Sequence, residues 1–394
     1  MINILFIHQS SELYGSDKTL LLLLQNIDRN KYFPIVILPC NGPLKEKLEE
    51  KNIEVKIAPV LKLHRKMFSP KNIFLFFSQI KSGIKTLDAL NEIYHFDIVY
   101  SNTLAVLLGI IYASRKKIKH IWHVHEIIES PVTFKKAFQK LLSLKGNTAI
   151  VCNSLATQKF WDVNSKISSK SMTILNGQEL TAGDISDVEI QKIRKELFDS
   201  ENQIIIALIG RISRWKGQSV LLDAYIKLAI THKNIKLIFV GSAPPNQELF
   251  LENLQNNVLK YNLQHKVKII PFQRDISKIW KSIDIAVVPS IEPEPFGLVA
   301  LEAMLAKKPV VASDHGGLSE IVRHNETGFL VKPNDSEELA EALEKLVKSL
   351  ELRNHFGQNG YKRATEEFSV YNYVENLENL FSKIITKAKN NASV

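Results

Sequence analysis

Short apolar runs alternate with longer segments of helical periodicity from one end of the chain to the other. Seven candidate strands come first, and six more follow a stretch without clear periodicity. Alternating strands and helices are typical of βα units and predict parallel sheets. Because thirteen strands are too many for one ordinary doubly wound sheet, the pattern predicts two sheets. The candidate strands are 2–7, 35–38, 53–57, 97–101, 120–124, 149–153 and 172–175, then 204–210, 236–241, 267–271, 284–289, 310–313 and 329–332.

The interruption between the two series predicts where two domains join. Residues 176–203 are the least patterned part of the chain and mix glycines with acidic and polar residues, so we expect the linker there. The sequence therefore predicts an α/β fold with two Rossmann-like doubly wound domains, at 1–180 and 190–368. Ligands of such sheets bind at the carboxyl ends of the strands, so the two sets of loops are expected to face each other across a deep cleft.

The composition is that of a globular protein with an anionic partner. Of its 394 residues 45% are apolar, and the chain has no run of eighteen apolar residues that would predict a membrane span. The apolar start has no basic stretch before it, so we interpret it as a strand and expect a cytoplasmic protein. Cys40 and Cys152 are interpreted as buried thiols. The net charge of +10 favours phosphates, nucleic acid or an anionic membrane surface as the partner.

Two segments concentrate basic and aromatic residues without any acidic residue. They are 62–85, with six lysines or arginines, and 131–145, with four lysines. Interleaved cations and phenylalanines suit an anionic lipid surface, where charge attraction and apolar insertion act together. A nucleic-acid face, or a solvated basic face whose aromatic residues belong to the core, would have the same composition.

The stretch 290–302 is the strongest candidate for binding chemistry. It follows an apolar strand and runs into a helical pattern, and Pro295 suits the first helical position. A helix that begins there would offer the amide groups of Phe296, Gly297 and Leu298 to a phosphate. Eight residues of helix span about 12 Å, the scale of a sugar, a diphosphate and a ribose in a row. The flanking carboxylates, Glu294 and Glu302, are therefore candidates to accept hydrogen bonds from sugar and ribose hydroxyls.

Cations and histidines at other strand ends extend this site. Arg211 and Lys216 follow the first strand of the second series, and both suit a diphosphate. The order of residues there excludes a P-loop.

His123 and His125 alternate along a strand, so their side chains share a face. Their spacing does not favour a metal site, and a histidine there is a candidate to donate to a phosphate oxygen or a sugar hydroxyl. Gly15 lies at the turn after the first strand.

Several motifs in chain order carry a resemblance to a known family. Residues 294–302, the Gly-Gly pair at 316–317, Gly-Arg and Lys-Gly within 210–217, and His125-Glu126 occur together. The chain resembles the retaining family-4 glycosyltransferases with the GT-B fold, whose signature is a glutamate-x7-glutamate motif. The family usually has a Gly-Gly pair after the first strand, whereas only Gly15 is present here.

The resemblance implies a role for each matching residue. It implies that Glu294 and His125 are catalytic, that Glu302 contacts the ribose, and that an acceptor binds the first domain. The donor diphosphate would be held by Arg211, Lys216 and the helix start at Phe296, Gly297 and Leu298. Gly15, also a donor-binding candidate, would let the main chain approach a phosphate or the acceptor. The resemblance also implies that the last helix, within 370–394, packs back on the first domain. The motif Asp-x-Asp, which often binds a divalent cation, does not occur, so we expect neither a metal nor another cofactor.

The resulting hypothesis is a retaining, metal-independent glycosyltransferase. It would move a sugar from a nucleotide-diphosphate sugar to a hydroxyl of a glycan, with a lipid-linked acceptor at the inner face of the cytoplasmic membrane. Three alternatives remain. A nucleotide-sugar epimerase and a soluble disaccharide or glucan synthase share the expected fold, and a basic nucleic-acid-binding protein is the alternative from another class.

Overall fold

The computed structural model describes residues 1–62, 70–179, 185–198, 203–273 and 275–392, without the side chains of 70–77 and 388–392. The chain forms two compact units. The first contains Met1–Gly177 together with Val370–Val394, and the second contains Gln178–Ser369. The predicted linker at 176–203 is therefore wrong in part, because Asp187–Phe198 is a helix of the second unit. Within the predicted linker, residues 180–184 and 199–202 lie outside the described residues.

The first unit is built on a seven-stranded parallel sheet in the order β3-β2-β1-β4-β5-β6-β7. Helices cover both faces, which is why its strands are apolar on both sides. The strands are β1 (Ile2–His8), β2 (Tyr32–Leu38), β3 (Glu54–Ile57), β4 (Ile98–Asn102), β5 (Lys119–Val124), β6 (Asn147–Cys152) and β7 (Ser171–Thr173). The helices are α1 (Gly15–Asn26), α2 (Pro43–Glu49), α3 (Pro70–Tyr94), α4 (Leu108–Lys116), α5 (Val132–Leu142), α6 (Leu155–Trp161) and α7 (Ser165–Ser168).

The second unit repeats the arrangement with six parallel strands in the order β10-β9-β8-β11-β12-β13. The strands are β8 (Ile204–Ile209), β9 (Ile235–Val240), β10 (Val267–Ile270), β11 (Ile285–Val288), β12 (Val310–Ser313) and β13 (Gly328–Val331). The helices are α8 (Asp187–Phe198), α9 (Gln218–Thr231), α10 (Leu249–Lys260), α11 (Ser277–Ser282), α12 (Leu298–Leu305), α13 (Leu318–Ile321), α14 (Ser336–Lys348) and α15 (Leu350–Glu367).

The last helix, α16 (Val370–Ala392), belongs to the first unit and packs on α1. Its amphipathic sequence buries one face, where Phe381 lies against the rings of Phe6, Tyr32 and Tyr100. The hydroxyl of Tyr32 also donates to the main-chain carbonyl of Glu378 at 2.9 Å. The helix thus completes the apolar core on one face of the first sheet.

The prediction of two Rossmann-like parallel sheets is confirmed, and each of the thirteen candidate strands corresponds to one strand of the structure. Cys152 is buried in β6, but Cys40 is exposed after β2, so the expectation of two buried thiols is wrong for Cys40. Within the described residues, no helix has the length and apolar character needed to cross a bilayer.

In both sheets the strand order reverses beside the first strand of the unit. From β1 the chain runs outward to β3 and then returns to place β4 on the other side of β1. The second unit does the same, with β8 between β9 and β11. The loops that leave neighbouring strands at such a reversal diverge and leave a crevice at the carboxyl ends of the strands. Candidate sites are therefore expected beside the ends of β1 and β4 and beside the ends of β8 and β11.

Candidate functional site

The loop after β8 lies against the end of β11 in the second unit. Gly217 has a φ of +73°, and a Cβ atom there would lie 1.9 Å from the carbonyl oxygen of Pro289. The amide of Ile291 donates to the carbonyl of Trp215 at 2.7 Å, which fastens the two loops together. Only glycine permits this approach in this backbone conformation. As a result, Lys216 is held directly beside the loop that follows β11.

Lys216 and Glu294 form an ion pair at this position. Their side chains are only 19% and 13% exposed, and the hydroxyl of Ser290 donates to the same Glu294 oxygen at 2.5 Å. Burial alone would raise the pKa of Glu294, but the charge and hydrogen bond of Lys216, the Ser290 hydroxyl and the nearby His315 lower the pKa below its ordinary value. Glu294 is therefore a carboxylate at neutral pH, and it is an acceptor only.

The Gly-Gly pair after β12 fixes the main chain of Glu294. A Cβ atom on Gly316, whose φ is +61°, would lie 2.3 Å from the Glu294 carbonyl oxygen. The amide of Gly317 donates to that carbonyl at 2.7 Å, and a Cβ atom on Gly317 would lie 2.5 Å from Cα of Phe296. Two side-chain-free residues thus let the Glu294 loop lie directly on the turn after β12.

Helix α12 begins at Leu298, so the prediction of a helix start at Pro295 is wrong. Gly297 is the N-cap with a φ of +118°, and a Cβ atom there would lie 2.6 Å from the Leu318 side chain. The glycine is therefore required by packing within the protein. Phe296 is buried against Phe368, with ring centroids 6.0 Å apart. No side chain caps this helix start, so its first amides, at Leu298 and the next residue, are the ones suited to an anion.

The other donor-site candidates are placed differently. Glu302 is buried within α12 and accepts a hydrogen bond from Gln178 Nε2 at 3.2 Å. Arg211 is exposed, and its main-chain carbonyl accepts from Gln218 Nε2 at 2.8 Å. Arg214, in the same loop as Lys216, pairs with Glu292 at the surface. The structure thus brings Lys216, Glu294 and the start of α12 together, and it places Arg211 on the exposed part of the same loop.

In the first unit, His125 lies just after β5, beside the reversal between β1 and β4. Its Nε2 lies 3.0 Å from Oδ1 of Asn102, the last residue of β4. Its ring centroid is 4.0 Å from that of His123, which agrees with the prediction that the two side chains share a face. Asn102 is in turn hydrogen-bonded to His8 at the end of β1, and His8 is hydrogen-bonded to Asp17. Gly15, expected at the turn after the first strand, is the exposed first residue of α1.

Glu126 fixes the loops after β4 and β5. Its Oε2 accepts from the amides of Leu104 at 3.1 Å and His125 at 3.0 Å. Burial raises its pKa from the ordinary value to about 7, although these amide hydrogen bonds oppose the rise. Glu126 therefore acts on the main chain around His125 and titrates near neutral pH.

Sequence reasoning missed five residues of these two sites: His8, Asp17, Asn102, Ser290 and His315. All except Asp17 lie at or just after the carboxyl end of a strand, which is the signal that could have identified them. Among the residues that the structure describes, no group of three or more His, Cys, Asp or Glu side chains could hold a metal ion. Residues 63–69 of the basic segment 62–85 lie outside the described residues.

We expect Gly316→Ala to destabilise the second unit by more than about 1 kcal/mol, because the new methyl group must push away the Glu294 carbonyl. Gly210→Ala is a control for backbone strain without a contact, since Gly210 has a φ of +151°, which alanine avoids more strongly than the left-handed region, but no atom lies within 4 Å of a Cβ placed there. Urea unfolding of both variants measures the difference. A loss for Gly316→Ala clearly smaller than that for Gly210→Ala would show that the contact with Glu294 adds nothing to the backbone strain.

We expect Glu126 to make the first unit less stable as pH rises. The folded state binds a proton more tightly than the unfolded state, so stability falls between the unfolded pKa, about 4.3, and the folded pKa of about 7. Glu126→Gln keeps an oxygen for the two amides and cannot ionise. Its free energy of unfolding, relative to wild type, should rise by about 3–4 kcal/mol between pH 4 and pH 8. A difference that does not change with pH would contradict the raised pKa.

The sequence of this chain is similar to those of known glycosyltransferases. Residues 189–363 match the family described as "Glycosyl transferases group 1". An uncharacterized glycosyltransferase of Methanocaldococcus jannaschii is 32% identical over 216 residues, which are 54% of each chain. The capsular polysaccharide biosynthesis glycosyltransferase CapM of Staphylococcus aureus is 28% identical over 199 residues, or 50% of each chain. The matched region thus spans about half the length of these two relatives.

A solved structure covers nearly the whole chain. The crystal structure of Anabaena HepE in complex with UDP and glucose superposes with a TM-score of 0.83 at 26% identity. The superposition covers 97% of this chain and 100% of HepE. The chain therefore has the GT-B fold, and its second unit is similar to the group 1 glycosyl transferases.

Proposed function

We propose that the chain is a glycosyltransferase that moves a sugar from a nucleotide-diphosphate sugar to a hydroxyl of a glycan acceptor. The observation that carries this proposal is the buried pair of Lys216 and Glu294 beside the start of α12. A cation, helix amides and an ionised carboxylate lie together where an open parallel sheet binds its ligand. The HepE complex with UDP and glucose supports a UDP-sugar as the donor.

In the proposed reaction, the bond between the sugar C1 and the diphosphate oxygen breaks, and its electron pair goes to the diphosphate. Lys216, the exposed Arg211 and the first amides of α12 stabilise the negative charge that develops on this leaving group. The acceptor hydroxyl oxygen forms the new bond to C1 on the face that the nucleotide leaves, which retains the configuration. The hydroxyl proton passes to the leaving diphosphate oxygen.

Glu294 has a positioning role in this proposal. Because the carboxylate is ionised and accepts only, it suits the hydroxyl groups of the donor sugar. Glu302, eight residues along and also buried, suits the ribose hydroxyls, as the resemblance implies. The protein's own cations would supply the charge that a divalent ion supplies in other glycosyltransferases, so the proposed reaction is metal-independent.

The proposed acceptor is a lipid-linked glycan in surface polysaccharide assembly, and similarity to the capsular polysaccharide biosynthesis glycosyltransferase CapM supports polysaccharide assembly as the process. The second basic segment, 131–145, contains α5, on which Lys136 and Lys140 are exposed, followed by exposed Lys145. Val132 and Leu144 in the same segment are 58% and 43% exposed. Exposed cations beside exposed apolar side chains are suited to the surface of an anionic bilayer. We therefore place the protein at the inner face of the cytoplasmic membrane in this proposal.

We expect Lys216→Met and Glu294→Gln each to lower turnover of a UDP-sugar by about 10²–10³-fold, because each removes a charge that acts on the reacting donor. Turnover is measured as UDP release across a panel of UDP-sugars, with the fold checked by circular dichroism. Arg214→Met is the matched control, since Arg214 pairs with Glu292 across the same two loops at the surface. It should keep turnover within about twofold, because an exposed pair contributes little.

The same assay tests the remaining parts of the proposal. Product NMR should show retention at the anomeric carbon, and turnover should survive a chelator. Inversion, or turnover lost to chelator and restored by manganese, would overturn the mechanism. Conversion of the donor without transfer would indicate an epimerase, and use of a free sugar as acceptor would indicate a soluble synthase. Steeply salt-dependent binding of RNA or DNA without UDP release would indicate the nucleic-acid-binding alternative.

We expect a triple variant, Lys136→Glu, Lys140→Glu and Lys145→Glu, to weaken binding to vesicles that contain phosphatidylglycerol by about 100-fold. Each lysine at an anionic surface contributes about 1 kcal/mol to membrane binding, and a glutamate would be repelled. Co-sedimentation at low salt measures the bound fraction.

The control for this experiment is the same charge change at three exposed lysines of the second unit, Lys192, Lys195 and Lys260. These substitutions should leave vesicle binding close to wild type. Equal loss of binding in both triple variants would show that net charge, and not the segment 131–145, determines membrane attraction.

A further inference from the structure

A chain of hydrogen bonds joins a buried carboxylate to His125 in the first unit. Asp17 Oδ1 lies 2.5 Å from Nε2 of His8, and His8 Nδ1 lies 2.9 Å from the side-chain amide nitrogen of Asn102. Asn102 Oδ1 then lies 3.0 Å from Nε2 of His125. Asp17, His8 and Asn102 are at most 2% exposed, so water does not compete for these bonds. The chain links the ends of β1, β4 and β5.

The carboxylate sets the direction of these bonds. Burial alone would raise the pKa of Asp17, but hydrogen bonds from His8, Ser10 and the Tyr14 amide lower the pKa below its usual value. An ionised carboxylate only accepts, so His8 Nε2 carries the proton and donates. His8 Nδ1 lies 3.2 Å from the main-chain carbonyl oxygen of Asn102 and 2.9 Å from its side-chain amide nitrogen. Because the amide nitrogen is nearer and can only donate, Nδ1 is assigned as the acceptor.

A second, longer contact supports the same orientation of Asn102. Its amide nitrogen also donates to the main-chain carbonyl of Ser16 at 3.3 Å, and a carbonyl can only accept. The amide nitrogen therefore faces His8 and Ser16, and the amide oxygen faces His125. An amide oxygen accepts, so His125 must donate from Nε2.

We infer that Asp17 is a positioning residue that acts through His8 and Asn102 to hold His125 as the Nε2–H tautomer, with a bare Nδ1 as its acceptor for a ligand hydroxyl. Among the described residues, the hydrogen bonds of His125 involve its amide and its Nε2, and none involves this Nδ1. A ring nitrogen without a hydrogen accepts a hydrogen bond from a hydroxyl group. An ionised phosphate oxygen has no hydrogen to donate to such a nitrogen. The inference therefore assigns His125 to sugar or glycan hydroxyls and excludes its use as a phosphate donor.

The surroundings of the ring keep it neutral. Burial lowers the pKa of His125 well below its ordinary value, and positive charge on His123 or His8 would lower it further, whereas Asp17 opposes this effect. The neutral ring already donates a hydrogen bond from Nε2 within the protein. Accepting a hydrogen bond at Nδ1 is therefore the interaction that it can offer a ligand. That the hydroxyl belongs to the acceptor or donor sugar of a transfer reaction rests on the proposed function, whereas the tautomer itself does not.

His120 provides an internal reference with the opposite tautomer. Its Nδ1 lies 2.9 Å from Oδ1 of Asn147, whose amide nitrogen donates to the carbonyls of Leu141 and Leu142. His120 must therefore donate from Nδ1, and its Nε2, 2.9 Å from Ser101 Oγ, accepts. The two histidines belong to the same region of the first unit but have opposite protonation patterns.

The decisive experiment is NMR of the full chain labelled with ¹⁵N-histidine, because the nitrogen chemical shifts distinguish a protonated from a bare ring nitrogen. The His125 signals are assigned by their loss in His125→Gln. We expect a protonated Nε2 and a bare Nδ1 for His125, and the reverse for His120. A protonated Nδ1 on His125 in the wild-type chain would overturn the inference, whatever the enzymatic activity proves to be.

Asp17→Asn tests the origin of the effect. The Tyr14 amide lies 2.9 Å from Asp17 Oδ2 and requires an oxygen there, so the new amide nitrogen must face His8 and donate to it. We expect His125 to lose its single Nε2–H form, while His120 keeps its own pattern. An unchanged His125 spectrum in the folded variant would show that Asp17 does not set the tautomer.

Turnover of the variant separates this inference from the proposed function. We expect Asp17→Asn to lower kcat/KM with a UDP-sugar about tenfold, the value of one hydrogen bond, while thermal stabilisation by UDP is unchanged. Full activity of Asp17→Asn and His125→Gln, with the wild-type tautomer confirmed, would overturn the hydroxyl-binding role alone. Absence of turnover in the wild-type chain with every UDP-sugar would instead count against the proposed function.

Discussion

The second unit depends on the need to neutralise a buried carboxylate. Glu294 is nearly enclosed by protein, and an isolated charge in such a place is costly unless a partner of opposite sign lies within contact. That partner, Lys216, comes from a loop 78 residues earlier in the chain. The two loops meet because β8 and β11 are neighbours at the reversal of strand order. Gly217 and Gly316 allow the main chains to approach closely enough for the pair to form.

The first unit uses the same topological position for a different kind of chemistry. Its polar residues at the ends of β1, β4 and β5 are joined by a hydrogen-bond chain that ends in a neutral ring, and no cation is among them. In these two sites the cations lie in the second unit, whereas the first unit holds a buried carboxylate and groups whose donor and acceptor pattern is defined. Under the proposed function, this division suits a donor that carries a diphosphate and an acceptor that offers hydroxyls.

The sequence predicted the strands well because fully buried parallel strands are short, apolar and bounded by turns, and this signal is local. It also identified Lys216 and Glu294, although it assigned them to separate parts of the ligand. Their pairing could not be predicted, because it depends on which strands are neighbours. The start of α12 was misplaced for a similar reason: Gly297 ends the loop in a left-handed conformation against Leu318, a contact that periodicity does not encode.

The hydrogen-bond chain of the first unit was missed because directly bonded residues in it are separated by up to 94 positions and only His125 lies in a recognisable motif. His8 and Asn102 look like ordinary residues at strand ends, and Asp17 looks like an N-terminal acidic residue of a helix, a role that it also has in α1. Each has a local explanation that conceals the long-range one. Burial, which propensity does not report for polar residues, is what distinguishes them.

The direct contact between the Glu294 loop and the two glycines after β12 has a consequence for altering selectivity. Because the main chain of Glu294 lies on a neighbouring turn without intervening side chains, the loop cannot shift on its own. Because these contacts involve main-chain atoms, substitutions within 291–296 would exchange side chains on an unchanged main chain. A variant that needs a different path of this loop would require compensating changes in 314–318.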